Sequence, residues 1–248
     1  MTKIFGHRGS KGKYPENTLR SFQAALEEGA DGLELDVHLT KDGEVIVIHD
    51  EALDRTTDGH GQIKDLTLEE IKQYSAGKRF PHFNKYDTTW DKERVPTLAE
   101  VLQLLSGTDI ALNIELKTYI YTYPGIEEKL FSVVNEYGEN RKIVYSSFHL
   151  PSLIRMKGID PDADIALLLF SPISNPQDYI QTFDFESLHV AKDLLLQDTH
   201  KLFQDLYTKT RVWTVNDEEE ILQLLKMGVN TIITDYPEKA VKLKKQNL

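Results

Sequence analysis

Short apolar, β-branched runs alternate with amphipathic stretches along almost the whole chain, and that alternation restricts the fold more than any other feature. Runs near residues 4–7, 32–37, 110–116, 143–147, 165–169, 188–191, 211–215 and 230–234 read as strands. Stretches 18–28, 97–105, 125–137, 151–157, 176–182, 197–207, 217–227 and 237–244 carry the spacing of helices. Repeated strand–helix units build a parallel sheet with helical cover. The count of strands is the one that closes a TIM (β/α)8 barrel. An open doubly wound sheet is the alternative. It calls for a glycine-rich phosphate loop after a strand, and neither GxGxxG nor GxxxxGKS/T occurs.

One run breaks the pattern. Residues 45–49 follow the second strand after only Thr40-Lys41-Asp42-Gly43, whereas a parallel crossover needs a dozen or more residues. This pair is therefore expected as an antiparallel hairpin with Asp42 and Gly43 in the turn, outside the barrel count. Residues 50–96 also depart from the alternation. They hold one helical piece, 67–74, with Thr67 as cap and Glu70 placed for a capping box, amid aromatic and polar residues. The stretch reads as an insertion after the second strand, on the face where barrel loops shape the pocket. The length suits a single barrel domain over 1–248 with that insertion inside it.

Composition narrows the chemistry. The chain contains no cysteine, so disulfides, thiolate metal sites and cysteine nucleophiles are excluded and a reducing compartment suits it. A formal charge of −11 is a poor footprint for a nucleic-acid backbone. No run approaches the roughly 20 apolar residues of a spanning helix, and no basic start precedes an apolar leader. The expectation is an unexported, cytoplasmic protein without stable membrane insertion and without a nucleic-acid partner.

Glu34 and Asp36 lie two apart on a strand and so point to one side. Two such carboxylates stay ionised side by side only with a cation or proton between them, unless they lie at a solvated strand end. Glu115 and Lys117 repeat the spacing on the next barrel strand. Three carboxylates from neighbouring strands make an all-oxygen set, which suits Mg²⁺, Ca²⁺ or Mn²⁺. Lys117 either adds positive charge at that centre or serves as a structural partner of Glu34 or Asp36. His7 and His49 each close a strand on the same side. Phosphoester cleavage needs a base for the attacking oxygen and an acid for the leaving oxygen, and a histidine pair supplies both near neutral pH. Arg8 offers the planar fork that matches phosphate oxygens. Trp213, ending another strand, either stacks on an organic part of a ligand or fills the core. Asp235, ahead of a proline turn, reads as a helix cap. The other histidines, His38 among them, lack such company and are left aside.

The stretches HRG (7–9), PENT (15–18), ELDV (34–37), TKDG (40–43), HD (49–50), LDRTT (53–57), PTLAEVL (96–102), IELK (114–117), SSF (146–148), WTVN (213–216) and TDYP (234–237) occur in this order over nearly the full length. In that set the chain resembles the glycerophosphodiester phosphodiesterase family. Ser10 stands where alanine is common, and His38 where glutamine often occurs. The resemblance implies a TIM barrel with a segment inserted after the second strand. It implies His7 and His49 as the acid/base pair, and Glu34, Asp36 and Glu115 around one divalent ion. Arg8, Lys117 and Trp213 would then contact substrate, with Trp213 on the glycerol side. The implied reaction is hydrolysis of a small-molecule glycerophosphodiester to glycerol 3-phosphate and an alcohol. A lysophospholipase D-like phosphodiesterase is a second reading, favoured by an apolar channel in 50–96 or around Tyr119, Tyr121 and Tyr123. A non-catalytic, phosphate-ligand-binding barrel is a third, and it would be expected to lack one of these histidines or carboxylates.

Overall fold

The computed structural model describes residues 1–247, the side chain at 198 excepted. Strands β1 (Lys3–His7), β2 (Gly32–Leu39), β3 (Val45–Val47), β4 (Ala111–Leu116), β5 (Ile143–Ser147), β6 (Asp164–Leu169), β7 (Ser187–Ala191), β8 (Thr210–Trp213) and β9 (Thr231–Thr234) form one sheet. All but β3 run parallel to their neighbours, and β1 pairs with both β9 and β2, so the parallel strands close on themselves. The helices are α1 (Leu19–Glu27), α2 (Leu68–Lys72), α3 (Leu98–Leu104), α4 (Ile126–Tyr137), α5 (Leu150–Ile159), α6 (Pro176–Phe183), α7 (Asp193–Leu196), α8 (Glu218–Met227) and α9 (Pro237–Gln246). This is the TIM (β/α)8 barrel. No helix among the described residues is long and apolar enough to cross a membrane.

β3 pairs antiparallel with β2, Val37 opposite Val47 and Leu39 opposite Val45. The short connection leaves no room for a crossover and turns through Gly43 at φ 81°. β3 ends at Val47, so His49 stands in the loop beyond it. Local chemistry sets the helix starts. The Thr18 hydroxyl accepts from Ser21 N at α1, and the Asp217 carboxylate accepts from Glu219 N and Glu220 N at α8. Thr67 and Thr97 each close a capping box, with Glu70 and Glu100.

Strand alternation sorts the side chains. Leu33, Leu35 and Val37 of β2 join the main core with Phe22 of α1 and Leu98, Val101 and Leu102 of α3. Glu34 and Asp36 therefore face the other way, into the barrel. The segment between β3 and α3 builds a small core from Ile48, Leu53, Ile63, Ile71, Ala76 and Val95 against Ile46 of β3.

One expected helix is different. Residues 197–207 do not form an α-helix; the one-turn α7 is followed by a 3₁₀ run over Asp198–Lys209. The apolar spacing explains it. Phe203 and Leu206, three apart, are buried, while Leu202 is 44% exposed. A three-residue period stacks i and i+3 on one side, as a 3₁₀ helix does.

Candidate active site

The first turn after β1 sets the site. Arg8 and Gly9 both adopt left-handed backbone, at φ 51° and 84°. A Cβ at Gly9 would lie 2.4 Å from the Ser21 hydroxyl, so only glycine fits there. Arg8 carries the strain that a side chain costs in this region, and such strain clusters at functional sites. The turn aims Arg8 N at Glu34 Oε2, 3.0 Å away.

Barrel closure brings the acidic side chains together. Asp36 is in register with Glu115 across the β2–β4 pair. One ligand oxygen from each of Glu34, Asp36 and Glu115 lies within 4.8 Å of the others. Their ionisation is uneven. Burial and then repulsion from Asp36 and Glu115 push Glu34 well above the usual carboxylate range, and burial also lifts Glu115 despite Lys117. Burial opposes ionisation of Asp36 as well, but Arg8 and Lys117 hold its carboxyl below the usual range. Asp36 Oδ1 is buried without a hydrogen-bond partner. An unpartnered buried oxygen within a cluster of like charges fits a divalent cation held by these three residues.

Two histidines flank the cluster, each oriented by an aspartate. His7 Nδ1 donates to Asp235 Oδ1 at 2.6 Å, leaving Nε2 on the side of Glu34 Oε2, 3.9 Å away. Burial lowers the His7 pKa, with Asp235 acting against that. His49 Nδ1 donates to Asp50 Oδ1 at 2.7 Å, and Lys117 Nζ donates to His49 Nε2 at 3.2 Å. In both rings the partner of Nδ1 fixes the tautomer and leaves Nε2 as the working nitrogen. Lys117 also donates to Glu115 Oε1 at 2.9 Å and lies 3.7 Å from Asp36 Oδ1. Although burial favours the neutral amine, Glu115 and Asp36 keep Lys117 protonated beyond its ordinary range.

A cavity of about 110 Å³ opens over this group. His7, Arg8, Glu34, His49, Glu115, Lys117 and Trp213 line it, and Asp36 lies buried behind them. His7, Arg8, Glu34, Asp36, His49, Glu115, Lys117 and Trp213 thus lie in or against one place, whereas Tyr119, Tyr121 and Tyr123 do not line the cavity. Trp213 stands on the apolar wall; its Nε1 donates to His189 O at 3.0 Å and its ring meets Phe148 edge to face. Arg8 does not present a free fork. Its Nη1 donates to Glu16 Oε1 at 2.8 Å, and its Nε lies 3.3 Å from Asp36 Oδ2.

Asp235 is not a helix cap. Position 236 caps α9, and the Asp235 carboxylate is turned to His7 and accepts from Asn216 Nδ2 at 2.8 Å. Burial works against its charge, but His7 and Lys11 bring its pKa down to about 2. Asp50 and Asn216 also escaped the residue-by-residue reading, although HD, WTVN and TDYP each carry one of these residues. His38, set aside although it lies two residues beyond Asp36 on the same strand, is buried behind His49: its Nε2 lies 3.0 Å from His49 O and its Nδ1 2.9 Å from the Tyr123 hydroxyl.

A site of this kind at the C-terminal mouth of a closed barrel is what a TIM-barrel enzyme presents. The chain belongs to the glycerophosphoryl diester phosphodiesterase family, whose model matches residues 7–239. A glycerophosphodiester phosphodiesterase of Caldanaerobacter subterraneus subsp. tengcongensis is 41% identical over 98% of this chain and 97% of its own. One from Bacillus altitudinis is also 41% identical, over 99% of each chain. The structure of an Oleispira antarctica phosphodiesterase, in complex with the product sn-glycerol-3-phosphate, matches with a TM-score of 0.86 at 30% identity, over 99% of this chain and 97% of that one.

Proposed function

We propose that this enzyme hydrolyses glycerophosphodiesters to glycerol 3-phosphate and an alcohol, with His7 and His49 as the acid/base pair. The observation that carries the reading is the pair of aspartate-oriented histidines bordering one acidic, lysine-braced cavity. The product-bound Oleispira antarctica relative supports the substrate class. Glu34, Asp36 and Glu115 would hold a divalent cation, Mg²⁺ or Ca²⁺ by the all-oxygen donor set, and when bound it would neutralise charge on the phosphoryl oxygens.

The chain's own groups do the rest. One imidazole takes the proton from the attacking hydroxyl, of the glycerol or of water, and the other gives a proton to the leaving alcohol. Attack by water gives glycerol 3-phosphate directly; attack by the glycerol hydroxyl gives a cyclic phosphate, which water then opens to glycerol 3-phosphate with the two histidine roles exchanged. Lys117 and Arg8 supply positive charge beside the phosphoryl group as negative charge builds there. Trp213, with Phe148 against it, offers an apolar wall for the carbon skeleton of the glycerol. Chain 1–248 acts as one catalytic barrel in this reading, and its cysteine-free composition suits the cytoplasm.

The lysophospholipase D-like reading asked for an apolar channel in 50–96 or around the three tyrosines. Among the described residues, neither lines this cavity. Tyr119 is exposed, and Tyr121 and Tyr123 pack on each other. The test is release of glycerol 3-phosphate from a panel of glycerophosphodiesters with and without divalent ions. Release that depends on the ion is expected. No release from any diester would leave the binding-barrel reading in its place.

A further inference from the structure

Arg55 lies outside the cavity, in the segment inserted between β3 and α3, yet its guanidinium is tied to both sides of the site. Its Nε and Nη2 donate to the two oxygens of Asp50, at 2.7 and 2.9 Å. Its Nη1 and Nη2 donate to the two oxygens of Glu16, each at 2.8 Å. One planar group thus grips two carboxylates, each on both oxygens. Asp50 is the residue that accepts from His49 Nδ1. Glu16 is the residue that accepts from Arg8 Nη1.

The Glu16 half of this contact differs from an ordinary surface ion pair, although Arg55 itself is 46% exposed. Exposed pairs contribute little because two long side chains must be ordered in water. Here Glu16 is buried, 6% exposed, between two guanidinium groups. Burial alone would favour its protonated form, but Arg55 and Arg8 hold its pKa at about 2. The loop that carries Arg55 is itself anchored. Leu53 is fully buried in the small core, and both the amide and the hydroxyl of Thr57 donate to Leu53 O. The position of the clasp is therefore set by packing.

We propose that Arg55 is a positioning residue that couples the two halves of the reaction, aligning His49 through Asp50 and Arg8 through Glu16. This inference rests on the roles proposed above for His49 and Arg8. The clasp requires arginine: five donors in a rigid fork reach both carboxylates, whereas a lysine ammonium is a point charge that satisfies one of them. It also gives the insertion a task at the site without adding a wall to the cavity.

The experiment compares wild type, Arg55→Gln, Arg55→Lys, Asp50→Asn and the Arg55→Gln/Asp50→Asn double variant, with glycerophosphocholine as substrate. Histidine side-chain ¹⁵N spectra are recorded on each protein. Misplacing a reacting group by about 1 Å costs on the order of 100-fold. Arg55→Gln is expected to lower kcat about 10- to 100-fold and raise KM several-fold, roughly the range such misplacement allows. Arg55→Lys should fall between it and wild type. In the Asp50→Asn background the same change should lower kcat by a clearly smaller factor while KM still rises, because the route through Asp50 is already cut and only the route through Glu16 to Arg8 remains. The His49 ¹⁵N signals should leave the single Nδ1–H tautomer in Arg55→Gln. Equal losses of kcat in both backgrounds would overturn the proposal, as would wild-type kcat with unchanged His49 signals. If Arg55→Gln does not fold, wild-type kcat in Arg55→Lys overturns it equally. If wild type releases no glycerol 3-phosphate, the functional reading fails while the His49 spectra still decide whether the clasp orients that ring.

Discussion

Two clusters of buried charge sit inside this barrel, one at each end, and they are wired differently. At the N-terminal end Arg211, 3% exposed, lies over the Phe5 ring and donates to both oxygens of Glu186 at 3.1 and 3.2 Å. Lys142 adds a third contact at 3.1 Å. Burial would lift the Glu186 pKa, but Arg211 and Lys142 bring it down to about 2. At the C-terminal mouth, Glu34 is instead pushed up by burial and by the carboxylates beside it. The first cluster closes its charges on one another; the second leaves negative charge short of partners. Buried charge alone therefore does not mark a functional site in this molecule. The imbalance sets the mouth apart, because opposite charges at the first cluster neutralise one another whereas the three carboxylates of the second could hold a cation.

Removing groups from each end in turn should have opposite consequences for turnover and stability. His7→Ala and His49→Ala should each lower kcat by about 10²–10⁴-fold in protein that remains folded, since each deletes one proton transfer. Steady-state kinetics on folded variants checks this, and near-wild-type kcat in either would make that histidine structural. At the other end Glu186→Gln should leave kcat within about twofold but cost roughly 3–5 kcal/mol of stability, because it strands the buried Arg211 cation. Urea unfolding measures the loss.

Acid provides a finer test. The Glu186 pKa is lower in the folded chain than in the unfolded one, so its contribution to stability is complete above about pH 4.5 and is lost as pH falls toward 2. The difference amounts to about 3 kcal/mol, and Glu186→Gln should flatten this acid limb of the stability curve. The smallest effect has the opposite sign. In chelator-treated protein Glu34→Gln should raise Tm by about 2–4 °C, because it removes a charge held against two others. A lower Tm would mean the carboxylates are already balanced.

Much of this was legible in the residues. The strand–helix alternation implied the barrel, and the four-residue Thr40–Gly43 link implied the antiparallel β3. The i, i+2 spacing of Glu34 with Asp36, and of Glu115 with Lys117, implied inward pairs that barrel closure then brought together. Asp235 was misread for a physical reason. An aspartate just before a proline-started helix carries the same local signal as a cap, and only the pairing of β9 with β1 sets it beside His7, 228 positions away. The Glu186–Arg211 pair was likewise invisible, since it depends on the register of β7 against β8 and not on neighbouring residues. The 3₁₀ run after α7 was hidden by apolar residues that fit a helical period as well as a three-residue one.

In the function proposed above, the open cluster would take one divalent cation and turnover would depend on it. The direct measurement is a titration of chelator-stripped protein with Mg²⁺ or Ca²⁺, reading binding heat and glycerol 3-phosphate release in parallel. Both signals are expected to rise together and saturate at about one ion per chain, with Glu34→Gln binding more weakly. Full turnover in the stripped protein, or saturation of binding with no gain in release, would contradict it.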